Sequence, residues 1–126
     1  MRRIAYTYAL GTLKQMELQL KTPPDHVSCI VVSAAGEIDV VEAPSLRMVL
    51  SEVLASDCSR VVVDLSKVTF MDSVGLGVLV QFLKRFSAAE GDMRLVIGEP
   101  RVLRAFELTG LASIFSIFES LDLAIA

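Results

Sequence analysis

Apolar and polar residues alternate from Met16 to Lys21, with Met16, Leu18 and Leu20 set against Glu17, Gln19 and Lys21. A period of two predicts a half-buried strand. Thr22, Pro23, Pro24 and Asp25 interrupt it, and the apolar run from Val27 to Ala35 predicts a second strand, paired with the first as a hairpin. Gly36, Glu37, Ile38 and Asp39 are expected to end that strand. A helix follows, with Pro44 near its first turn, where a missing N–H costs little. Leu46, Val49, Leu50 and Val53 form its apolar stripe. Asp57, Cys58 and Ser59 close it. Arg60 to Leu65 is apolar and too short for a buried helix, so it predicts a central strand.

A short connection then leads to Asp72, and from Ser73 the apolar period becomes 3.6, predicting a helix to about Ala89. Gly91 and Asp92 turn the chain into a strand over Met93 to Ile97. Gly98, Glu99 and Pro100 open a helix carrying Val102, Leu103, Phe106 and Leu108, and Gly110 is placed to stop it in the left-handed region. Ile114 to Phe118 predicts a last strand, and Ser120 to Ala126 a final helical turn or two. The order β-β-α-β-α-β-α-β, with a terminal helical stretch, predicts a single α/β domain. Its expected architecture is a mixed, mostly parallel sheet of about four to five strands with helices packed against it. The domain is placed at residues 16–126, after a poorly patterned leader over residues 1–15.

A chain of 126 residues, 53% hydrophobic and 21% charged, suits one compact domain that needs no metal or disulfide to build a core. The net charge of -3 argues against a nucleic-acid partner, which would require a basic face. Arg2 and Arg3 precede a run from Ile4 to Leu10 that resembles a signal peptide. Thr7, Thr12 and Lys14 interrupt the apolar character and no cleavage site follows. No run approaches the ~18 apolar residues of a membrane span. A soluble cytoplasmic protein without a membrane partner is expected. Cys29 and Cys58, far apart in sequence, read as two free thiols of a reducing compartment, with a redox-sensing pair as the alternative. His26, the one histidine, lies in a loop beside Pro23, Pro24 and Asp25. No metal-ligand cluster and no cofactor are implied.

The candidate chemistry lies at Asp72, Ser73, Val74, Gly75, Leu76 and Gly77, where a strand hands over to a helix. Asp72 or Ser73 suits a helix N-cap, because the first N–H groups of a helix lack internal partners. On that reading Ser73 is an ordinary cap; on the other it is a modifiable switch. The glycines favour something more than a cap. Each costs about 0.8–1 kcal/mol in a helix interior, and each makes sense where the backbone must be approached closely. The apolar face of this helix is also wide. Leu76, Leu79, Val80, Leu83 and Phe86 form it, and Val78 and Phe82 extend it. It is either a broad core stripe or, at its start, a surface for a partner. A phosphate on Ser73 would add about -1.5 to -2 charges. The helix N-terminus would tolerate it, whereas a protein pressed against the turn would not.

These residues resemble a known family. Asp72-Ser-Val-Gly-Leu-Gly77, preceded by Val63-Asp-Leu65 and by Phe70-Met71, is similar to the motif of STAS domains, and more narrowly to bacterial anti-sigma factor antagonists. Gly36-Glu-Ile-Asp39 resembles the family's Gly-Glu-hydrophobic-Asp corner. Ala43 and Leu46 fall where the first helix begins in the family, and Phe106-Glu-Leu-Thr-Gly-Leu111 is similar to its third-helix exit. The resemblance spans about residues 16–126. It implies a partner-switching module: the unmodified antagonist binds an anti-sigma factor that is also a serine kinase, which frees a sigma factor. The kinase then phosphorylates the antagonist, and a PP2C-type phosphatase reverses the step. Carried over by motif, Ser73 is the phosphoacceptor, and Asp39, Asp72, Ser73, Val74, Gly75, Leu76 and Gly77 form the partner surface. ATP belongs to the kinase.

The chain departs from the family in two places. Val74 stands where many relatives carry a small residue or a second hydroxyl, which leaves Ser73 as the single acceptor in the motif. The leader is longer than the family needs; the alternatives are that it packs on the sheet, that it mediates homodimer formation, or that it starts upstream of the domain's real beginning. Two other functions compete with the switch. One is a STAS subunit of a stressosome-like scaffold or a transport-associated regulator. The other is an enzyme, against which stand the absence of a base next to Ser73 and of a Gly-x-Ser-x-Gly elbow.

Overall fold

The computed structural model describes residues 16–25 and 28–126. The expected leader, His26 and Val27 lie outside the described residues. Five strands form one sheet in the order β1-β2-β3-β4-β5. They are β1 (Met16–Lys21), β2 (Cys29–Ile38), β3 (Arg60–Met71), β4 (Asp92–Val96) and β5 (Ser116–Phe118). β1 runs antiparallel to β2, as the hairpin reading requires, and the remaining pairings are parallel. The helices are α1 (Ala43–Ala55), α2 (Ser73–Ala88), α3 (Pro100–Leu108) and α4 (Leu121–Ile125).

From β2 onward each strand is laid beside the one before it, always in the same direction. Right-handed crossovers then put every connecting helix on one side of the sheet. The core agrees. Val32, Ala34 and Ile38 of β2, Val61, Val63 and Leu65 of β3, and Met93 and Leu95 of β4 share one buried cluster with α1, α2 and α3. Phe82, Phe86 and Phe106 are its largest fully buried side chains, each stabilising the fold by roughly 1.5–3 kcal/mol on burial. The residues between them point the other way. Cys29, Val31, Val62 and Val96 form a second, smaller cluster under Ala124 of α4. Two arginines hold that short helix by its last carbonyls. Arg60 donates to the Ile125 oxygen at 2.8 Å and Arg94 to the Ala124 oxygen at 3.0 Å, and both pair with Asp92.

β2 and β3 are both longer than the hydrophobic pattern predicts. β2 continues through Gly36 and Glu37 to Ile38 instead of ending at Ala35, and residues 66–71, read as a connection, extend β3 to Met71. The register explains the misreading. Ser33 faces Asp64 but Ala35 faces Lys67, and Gly36 faces Val68 but Glu37 faces Phe70, so β3 carries an extra residue at each of two bulges. Each bulge reverses the inside–outside alternation, so Val68 and Met71 are buried where strict period two from Leu65 would expose Val68. The carboxylate of Asp64 steadies the first bulge by accepting the Ser66 N–H at 3.0 Å. Gly36 lies between the shifts with φ 98°, a conformation open to glycine and strained for other residues. β5 starts two residues later than predicted, after a 3-10 turn over Leu111–Ser113, and Gly110 stops α3 with φ 77°.

Cys29 and Cys58 are both free thiols. Cys29 belongs to the cluster beneath α4, and Cys58 packs against the main core on the other side of the sheet. Burial pushes both thiols above the ordinary range. The charges of Arg60 and Arg94 pull back at Cys29, and hydrogen bonds involving Ser56 and the backbone do so at Cys58. A raised native value favours the neutral thiol in the folded chain. That stabilisation is present below the unfolded thiol value of about 8.5 and is lost as pH rises through the native value. Iodoacetamide at pH 8 will therefore label both cysteines far more slowly in the native chain than in guanidinium. The denaturation midpoint will fall above about pH 9, and a Cys29→Ala, Cys58→Ala chain will lack that part of the fall.

Candidate functional site

The sequence at the end of β3 forces a sharp change of structure. Met71 is buried in the strand, Asp72 is extended with φ -92° and ψ -177°, and Ser73 begins the helix. Asp72 is the N-cap. Its Oδ1 accepts the N–H groups of Val74 and Gly75, both at 3.0 Å. The cap is therefore the aspartate, and Ser73 occupies the first helical position beyond it. The Ser73 side chain is exposed, and its hydroxyl makes no hydrogen bond to another described residue. Of the two readings of this serine, the ordinary cap is excluded by the atom that does the capping.

The corner after β2 arrives at the same place. Ile38 is fully buried, and its carbonyl accepts the Asp72 N–H at 3.1 Å. Asp39 then organises the loop into α1. Its Oδ1 accepts the N–H groups of Val41 at 2.9 Å and Glu42 at 3.2 Å, and its carbonyl accepts those of Glu42 and Ala43. Oδ2 of Asp72 reaches across to the Val40 N–H at 3.1 Å. The loop over residues 39–42 and the start of α2 thus form one continuous surface. Val40 and Val41 are 61% and 60% exposed on it, and Val74 is 41% exposed. An uncommitted hydroxyl sits among apolar side chains that face water.

The two glycines of the turn serve different ends. A Cβ on Gly75 would lie 2.9 Å from Ile38 Cγ2 and 3.1 Å from the Ile38 carbonyl oxygen, so the element that approaches this backbone is the chain's own β2. Gly75 and Leu76 are buried and support the turn from beneath. A Cβ on Gly77 would meet nothing within 4 Å, and Gly77 is exposed. Packing among the described residues does not require a glycine there. Further along α2 the broad apolar face is core, since Val78, Leu79, Phe82 and Phe86 are buried. Around the turn, Val74, the Val40 and Val41 side chains of the neighbouring loop, and Phe70 near the end of β3 are exposed.

The STAS domain profile matches residues 17–124. The chain belongs to the STAS domain family. Among relatives of this STAS domain, the anti-sigma-B factor antagonist of Bacillus subtilis is 41% identical over 88 residues, covering 70% of this chain and 80% of its own length. The crystal structure of an anti-sigma factor antagonist from Mycobacterium paratuberculosis superposes with a TM-score of 0.78 at 33% identity, over 86% of this chain and 90% of that one. The anti-sigma factor antagonist SpoIIAA in its unphosphorylated form shares the fold, with a TM-score of 0.72 at 22% identity over 86% of this chain and 92% of that one. Its phosphorylated form has a TM-score of 0.65 at 21% identity, over 86% and 96%.

Within the STAS domain, the structure brings Asp39, Asp72, Ser73 and Val74 together at the exposed end of the sheet and places Gly75 and Leu76 behind them. Val40 and Val41 were missed by the motif reading. Their signal was two β-branched apolar residues between Asp39 and Glu42, in a corner whose polar ends otherwise mark a solvated loop.

The glycines separate by mutation. Gly75→Ala will cost about 1–3 kcal/mol, because the branched Ile38 side chain, with its carbonyl and Met71 close behind, must give way. Gly77→Ala will raise stability by about 0.4–1 kcal/mol through restriction of the unfolded chain. Urea melts of the two variants read both signs directly.

Proposed function

We propose that this chain is an anti-sigma factor antagonist controlled by phosphorylation of Ser73. In the unmodified state the surface formed by Asp39, Val40, Val41, Asp72, Ser73, Val74 and Gly77 binds an anti-sigma factor with serine kinase activity, and a sigma factor is released. The partner's ATP then donates its γ-phosphoryl group to Ser73 Oγ; ADP leaves and the hydroxyl proton is lost. A PP2C-type phosphatase hydrolyses the phosphoserine and restores the surface. The chain itself acts as a binding module rather than an enzyme, and its place of action is the cytoplasm, where sigma factors work.

The observation that carries this reading is the free, exposed hydroxyl of Ser73 at the first position of α2, next to Val74 and the Val40–Val41 loop. The names of the curated relatives point the same way. Physical chemistry supplies the switch. A phosphate at a helix N-terminus meets N–H groups and the positive end of the dipole, so α2 keeps its structure. SpoIIAA adopts this fold in both a phosphorylated and an unphosphorylated form. An apolar partner surface has no such accommodation. It must bury a dianion without a counter-charge, a cost of several kcal/mol per ion.

The reading is tested with Ser73→Ala as bait in extracts of the source cell. This variant will capture a histidine-kinase-like ATPase and hold it in the presence of ATP. Ser73→Asp will fold with a near wild-type melting temperature and capture far less. Kinase and ATP will add 80 Da to the peptide containing Ser73, about the mass of one phosphoryl group. A phosphate mapped to another residue, or unchanged partner affinity in the fully phosphorylated chain, would refute the proposal.

A further inference from the structure

Asp72 does more than cap a helix. Both of its carboxylate oxygens are engaged, and on different segments: Oδ1 takes the Val74 and Gly75 N–H groups of α2, while Oδ2 takes the N–H of Val40, 32 residues earlier in the chain. Asp39 is built otherwise. Its side-chain bonds go to Val41 and Glu42, both within its own loop, and both through Oδ1. The side chains of Val40 and Val41 are more than half exposed, so burial contributes little to holding their backbone in place. The polar tie from Asp72 supplies what burial does not.

We propose that Asp72 is a positioning residue: its carboxylate fixes the exposed Val40–Val41 loop beside Ser73, so that the phosphoacceptor and an apolar loop from a distant part of the chain meet a partner protein as one preassembled surface. The use of that surface rests on the switching role of Ser73; the tie itself does not. A loop already held in place loses less freedom when a partner docks, and binding is stronger by that difference.

Replacing the carboxylate by an amide separates the two roles of Asp72. Asparagine caps helices about as well as aspartate, and its single carbonyl oxygen can keep the Val74 and Gly75 bonds. Its NH2 group then faces the Val40 N–H, donor against donor, and the tie is lost. Asp39→Asn keeps an oxygen for Val41 and Glu42, because Asp39 uses only one. Each variant removes one negative charge from the same surface, so a general charge effect would treat them alike.

The experiment is native-state amide hydrogen exchange by NMR on the full chain, with wild type, Asp72→Asn and Asp39→Asn compared. In Asp72→Asn the Val40 amide will exchange about 10- to 100-fold faster, in line with loss of a hydrogen bond to a charged acceptor. Val74, Gly75 and the core amide of Phe82 will stay protected. In Asp39→Asn, Val40 will exchange at the wild-type rate. Elastase, which cleaves after small aliphatic residues, will nick Asp72→Asn at Val40 or Val41 sooner than either other chain. If the Asn variant does not fold, Asp72→Ser takes its place, since serine also caps but is too short to span both segments. Unchanged Val40 protection in the folded Asp72 variant, or equal loss in both Asn variants, overturns the proposal. Undiminished partner binding by phosphorylated Ser73 would overturn the switch and leave the exchange result standing.

Discussion

The exposed end of this domain depends on how closely α2 can approach the end of β2. At Gly75 the helix backbone rests against Ile38, with room for a hydrogen atom and not for a methyl group. That contact brings the Asp72 N–H within reach of the Ile38 carbonyl, and the Asp72 carboxylate within reach of Val40. It also fixes the direction in which α2 starts, so that the first helical residue points into solvent while Leu76 turns into the core. A helix held one methyl group further away would leave the Val40 N–H without its Asp72 partner.

The same contact shows why the sheet bulges where it does. β2 and β3 must end together for Ile38 to face Met71, yet β3 carries two more residues than β2 over the paired stretch. The bulges absorb the excess. With the strand ends level, the β2–α1 corner and the β3–α2 turn meet through the Asp72–Val40 hydrogen bond. One-sided layering follows from strand order, and α4 then covers part of the face left bare, at Cys29, Val31, Val62 and Val96.

Much of the architecture was legible because the hydrophobic pattern and the chain-breaking residues agree. β1, α1, α2 and α3, the antiparallel hairpin and the glycine stop at Gly110 all follow from periods of 2 and 3.6 and from Pro44, Pro100 and Gly110. The ends of β2 and β3 were not legible, since a bulge erases the alternation by which a strand is recognised. At the candidate site the motif names a single turn but could not assign work within it. Asp72 and Ser73 are both good caps on paper, and only the placement of Oδ1 shows which one acts. Gly75 and Gly77 look alike in sequence and differ in space, one against Ile38 and the other in the open. Val40 and Val41 carry no motif of their own. Their significance is a matter of long-range proximity, which a local pattern cannot express.

The phosphorylation proposed for Ser73 is separable from the stability of the fold for a geometric reason. The groups that secure the turn lie on its inner side: Ile38, Met71, Gly75 and Leu76 by packing, Asp72 by hydrogen bonds to backbone. The Ser73 hydroxyl lies on the outer side and takes part in none of these bonds. A charge added to Ser73 therefore acts on water and on whatever replaces water there, and it leaves the buried contacts as they were. A serine that was itself the cap could not behave in this way, because esterifying its oxygen would alter the helix start along with the surface. Assigning the cap to the neighbouring aspartate keeps the Ser73 oxygen out of the helix start, as the proposed reversible change of charge requires.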